Sequence, residues 1–84
     1  GEDLAVWENR LEEYKKDGEW DKALEMNAKI RQYAQDQLDY WRRYSPKSKD
    51  GQATKSQMMK LTKIRLRLIR ETMNDLRKEK AKNK

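Results

Sequence analysis

The cations Lys60, Lys63, Arg67 and Arg70 recur every three or four residues, and Arg77 follows after a gap filled by Asn74. On a helix that spacing makes one line of positive charge, which Lys78 widens at its end. The chemistry such a line performs is charge neutralisation, since each Lys or Arg that meets a nucleic-acid phosphate releases condensed counterions. Only Glu71 and Glu79 stand near it. Lys47 and Lys49 in "SPKSKDGQA" and Arg42 and Arg43 in "YWRRY" add further cations. The rings of "YWRRY" could stack bases, although Trp41 reads more naturally as core, with Tyr40 and Tyr44 closing the end of a bundle. The same line would fit an acidic protein surface, and its bland alternative is a solvated face of a charge-rich chain.

Bond-making chemistry has little to work with. The chain contains no His and no Cys, so a nucleophile or general base would have to be Ser, Lys, Tyr or a carboxylate in a shielded site. Glu12, Glu13, Asp17, Glu19 and Asp21 surround a tight turn and read as solvated. "KDGEWD" and "KSKDGQ" lack the repeated oxygen ligands of a calcium loop. Ser45-Pro46 reads as a turn. Neither an enzyme nor a metal or cofactor site is expected.

Charge is divided unevenly along the 84 residues. The net charge is +6, yet residues 1–44 hold 8 basic and 11 acidic side chains and residues 45–84 hold 13 and 4. The basic half is the expected contact surface. Leu, Ile, Met, Trp and Tyr recur regularly, unlike a disordered tract, so residues 1–79 read as one small folded domain followed by a basic disordered tail at 80–84. No apolar run approaches the ~18 residues of a membrane span, and the start lacks a signal-peptide pattern, so an intracellular protein is expected.

Three helices must position these residues. Asp3 can cap the first, where Leu4, Trp7, Leu11 and Tyr14 share a face, and Gly18 ends it. A second, over 19–44, carries Trp20, Ala23, Leu24, Ile30, Ala34, Leu38 and Trp41 on one stripe and Met26, Tyr33, Tyr40 and Tyr44 on another. Ser45-Pro46 stops it. Residues 45–53 read as a polar loop with a turn at Asp50-Gly51. Thr54-Lys55-Ser56-Gln57 has the form of a capping box, which predicts a third helix over about 55–79. Within it "KIRLRLIR", residues 63–70, alternates like a strand, but nothing bounds it, and a helical context of ~25 residues prevails.

Two apolar faces interleave along that helix. Met58, Met59, Thr62, Leu66, Ile69, Met73 and Leu76 form a long seam, and Leu61, Ile64 and Leu68 a shorter patch. The short, central patch is expected to be internal. Met59, Leu66, Ile69, Met73 and Leu76 are the expected interface with a partner or a second copy, because Met73 and Leu76 lie towards the helix end. The fold class is therefore all-α, a three-helix bundle or a hairpin plus a long third helix lying in the groove between the first two.

"WENRLEEYKKDGEWDKALEMNAKI", residues 7–30, resembles a single tetratricopeptide repeat, with Trp7, Leu11, Tyr14, Gly18, Trp20, Ala23 and Leu24 at the spacing of its packing positions. The resemblance implies a hairpin of two antiparallel helices. One unit without a second copy does not stack into a peptide-binding solenoid. The function expected from the sequence is a non-enzymatic helical module that binds DNA or RNA through its third helix as an accessory part of a larger assembly. Protein interaction or oligomerisation through the seam is the alternative.

Overall fold

The computed structural model describes residues 3–82 and folds them into three helices, α1 (Leu4–Lys16), α2 (Trp20–Arg43) and α3 (Lys49–Lys82), with no strand among the described residues. The fold is all-α. Its extents are 54 × 25 × 15 Å, and the long axis is that of α3, whose 34 residues rise about 51 Å at 1.5 Å each.

Local chemistry sets the first two helices. The Asp3 carboxylate accepts a hydrogen bond from the Val6 N–H at 3.0 Å, satisfying one of the free donors of the first turn of α1. At the other end Gly18 adopts φ +71°, its N–H donates to the Lys15 carbonyl at 3.2 Å, and the Glu19 N–H donates to the Tyr14 carbonyl at 2.9 Å. These are the paired bonds of a glycine-closed helix end, and they turn the chain directly into α2. Tyr44 is extended ahead of Ser45-Pro46, and the Lys55 ammonium donates to the Arg42 carbonyl at 3.1 Å, covering one open acceptor at the end of α2.

The third helix begins six residues before the expected Lys55 and ends past residue 79. Ser48 is the cap. Its hydroxyl oxygen accepts from the Gly51 N–H at 3.0 Å, and its carbonyl accepts from Gln52 at 3.0 Å. The expected turn at Asp50-Gly51 is thus the first turn of α3, and Thr54 to Gln57 lie inside the helix rather than capping it. Gly51 is used for its lack of a side chain, because a Cβ there would stand 2.5 Å from Cβ of Pro46. The linker shortens accordingly to residues 44–48. Of the expected disordered tail, Lys80–Lys82 are helical and the Lys80 ammonium pairs with Asp21 of α2; Asn83 and Lys84 lie outside the described residues.

The core runs along α2, whose Ala23, Ile30, Ala34 and Leu38 are buried, with Leu11 from α1 and Ile69 and Leu76 from α3. Small side chains at Ala23 and Ala34 let a neighbouring helix approach closely. Both α1 and α3 pack on α2, but they scarcely touch each other, so α3 does not sit in a groove between the first two helices. α1 is too short for that, at 13 residues or about 20 Å against the length of α3.

A buried amide is embedded in the α2–α3 interface. Asn27 is 3% exposed, and its side chain donates to the Ile69 carbonyl at 3.1 Å. Asn27→Ala removes the bond and leaves a small void. The expected cost is about 1–3 kcal/mol in denaturant unfolding with an unchanged slope, and an unchanged midpoint would show that the bond contributes nothing.

Candidate functional site

The α2–α3 pair has two flanks, and they differ chemically. Because the two helices are antiparallel, a step of ~100° per residue carries corresponding sides of each to the same flank. α1 lies on one flank, where the Trp7 ring meets Tyr33 edge-on at 6.0 Å. The opposite flank carries the cations. Lys60, Lys63, Arg67, Arg70, Arg77 and Lys78 are all exposed along α3, the first four about one turn apart and Arg77 two turns beyond Arg70.

The fold adds to this line α2 residues that the sequence pattern did not single out. Arg31 and Gln35 of α2 line one shallow cleft with Lys63, Leu66, Arg67 and Arg70 of α3. Arg31 also borders the next cleft along, together with Arg70, Met73 and Arg77. Arg31 therefore stands at the junction of two cation-lined depressions. Its only signal in the sequence is weak: it lies seven residues from both Leu24 and Leu38, on the edge of the apolar stripe of α2.

None of these cations is neutralised by a described side chain. Among the described residues, Arg31, Lys60, Lys63, Arg67, Arg70, Arg77 and Lys78 have no acidic partner, whereas Lys15, Lys22, Arg42, Lys80 and Lys82 each pair with a carboxylate. Packing guanidiniums side by side without counter-charge is electrostatically unfavourable and is relieved by an anion.

The remaining candidates are not gathered at this line. Arg42 pairs with Asp39 at 3.9 Å. Arg43 borders a separate cleft with Asp36, Tyr40 and Tyr44. Lys47 lies in the linker and Lys49 is the first residue of α3; both are exposed and share none of the cation-lined clefts. Trp41 is half-buried, edge-on to Tyr40 at 5.1 Å and to Tyr44 at 5.5 Å, so this aromatic cluster closes the end of the bundle. The buried Nε1 of Trp41 has no hydrogen-bond partner among the described residues.

The two apolar faces of α3 stand the other way round from expectation. Ile69 and Leu76 are 7% and 2% exposed, and Met59, Leu66 and Met73 are half-buried on the same inward side. The seam expected to meet a partner is the α2-facing core of the chain itself. Leu61, Ile64 and Leu68, expected inside, are 53%, 38% and 54% exposed. The reason is the reach of α1, which covers α2 and leaves the flank of α3 beside it open.

No family model matches the chain, and no curated protein or solved structure is significantly similar to it. Among the described residues no group of acidic side chains could hold a metal ion, and no helix is long and apolar enough to cross a membrane.

Proposed function

We propose that the protein is a non-enzymatic helical module that binds the phosphate backbone of nucleic acid along α3, with Arg31 and Gln35 of α2 forming the second wall of the site. The observation that carries this reading is the run of uncompensated cations facing Arg31 across the α2–α3 clefts. Cations arranged in this way position a backbone and do not read sequence, so affinity depends on salt far more than on base composition. From Lys60 to Lys78 the line rises about 27 Å, the axial length of roughly eight base pairs.

The test is a salt titration with duplex and single-stranded oligonucleotides of unrelated sequence. Log affinity is expected to fall linearly with log salt, with a slope of about −0.9 per neutralised phosphate on duplex. Arg31→Gln should reduce that slope by about one phosphate and weaken all sequences alike. Absence of binding at ~50 mM salt, or a slope unaffected by Arg31→Gln, would remove the reading. A second reading, a protein interface, is favoured by the exposed patch on the opposite flank.

A further inference from the structure

Every aromatic ring of the chain lies away from the two cation-lined clefts. The sequence holds three Trp, four Tyr and no Phe, and all of these rings belong to described residues. Trp7 and Tyr33 meet edge-on on the flank that α1 covers. Tyr14 packs against the core from α1, and Trp20 borders a cleft with Glu12 and Lys15 of α1. Tyr40 and Tyr44 line a cleft of their own at the end of α2, with Trp41 edge-on to both. Between their cations, the clefts of the α2–α3 face present amide and aliphatic side chains such as Gln35, Leu66 and Met73. We infer that this face takes double-stranded rather than single-stranded nucleic acid. The inference rests on the phosphate-binding reading above and narrows it to a substrate class.

Two effects compete. Duplex condenses more counterions per phosphate, so affinity varies as salt concentration to the power of about −0.9 per contact, against about −0.7 on a single strand. Over about five contacts, a difference of ~0.2 in each compounds to about tenfold in favour of duplex at ~0.1 M salt. A single strand offsets this through its bases, each of which strengthens binding roughly five- to hundredfold when stacked on an aromatic side chain. One ring in either cleft would therefore suffice to cancel or reverse the preference, and neither cleft holds one. Tyr40, the most exposed ring at 56%, borders both Arg43 and Asp36, so its cleft has no net charge with which to hold the phosphate of a stacked base.

Stiffness acts in the same direction. From Gln52 to Lys82 α3 contains no Gly or Pro, so its cations stand at fixed intervals on a continuous helix. A stiff duplex meets such a line as it is, whereas a flexible strand must first give up its freedom to lie along it.

Fluorescence anisotropy at ~0.1 M salt tests this with a duplex of about 16 base pairs and a strand of about 32 nucleotides that cannot pair with itself, which carry similar numbers of phosphates. The duplex is expected to bind about tenfold tighter and with the steeper salt slope, and Tyr40→Ala to leave both affinities unchanged. A strand that binds as tightly as the duplex, or whose affinity falls in Tyr40→Ala, would overturn the inference, and a salt slope seen with both forms would still uphold the phosphate-binding reading. If neither form binds, the two fall together.

Discussion

Replacing Lys63, Arg67 and Arg70 together with Gln will lower affinity for oligonucleotides of unrelated sequence by roughly two to three orders of magnitude at ~0.1 M salt. The size follows from counterion release. Each neutralised phosphate makes affinity vary as salt concentration to the power of about −0.9, so three fewer of them, at a salt tenfold below molar, compound to that range. The salt slope should flatten by about three phosphates in the same titration. All three side chains are exposed and none has an internal acidic partner, so the fold loses nothing by their removal. Gln is also nearly as good a helix former as Lys or Arg. Circular dichroism is therefore expected to be unchanged. Equal affinity and slope in wild type and triple variant would end the phosphate-binding proposal, while a loss confined to one sequence would point to base readout instead.

The largest effect on stability is expected at Leu76. It is 2% exposed and packs in the cluster with Leu11, Ala23 and Ile69, at the place where all three helices contribute to the core. Leu76→Ala removes the transfer energy of the deleted methyl groups and leaves a cavity, together about 2–5 kcal/mol. For a domain of this size that is a large part of the whole stability. Leu68→Ala, eight residues earlier on the open flank, should cost well under half as much, since its side chain is already 54% exposed. Urea unfolding of the two variants side by side makes the comparison, and equal midpoints would contradict the inward orientation of the seam.

These two leucines mark how far periodicity reaches. The spacing of Thr62, Leu66, Ile69, Met73 and Leu76 identifies one coherent face, and that of Leu61, Ile64 and Leu68 another, but it is silent on which of two apolar faces turns inward. That is decided by where α1 packs, on α2 and scarcely on α3, which leaves the flank of α3 beside it open. The start of α3 departs from expectation for a different reason. Thr54-x-x-Gln57 and Ser48-x-x-Gly51 are both workable caps, and a cap contributes only about 1 kcal/mol, too little to stop a helix that packing extends. The cations were legible because an exposed line needs no partner to be seen. Arg31 and Gln35 were not, because their place depends on how α2 aligns with α3, a relation between residues distant in the chain.

That alignment raises a question of phase. Thr62, Ile69 and Leu76 repeat at intervals of seven, as do Ala23 with Ile30 and Asn27 with Ala34, so sliding α3 along α2 by one repeat would present apolar side chains to apolar side chains again. Hydrophobic burial alone scarcely distinguishes the two settings. The linker does, because the five residues 44–48 leave no slack for a slide of ~10 Å, which would also undo the Lys55 bond to the Arg42 carbonyl, whereas the Asn27 amide would meet the backbone carbonyl of Thr62 or Leu76 as readily as that of Ile69. The short linker works as a detent that selects one of several equivalent notches. Since Arg31 belongs to α2, the same detent decides which cations of α3 stand opposite it, and so fixes the spacing of charge that the outer face presents.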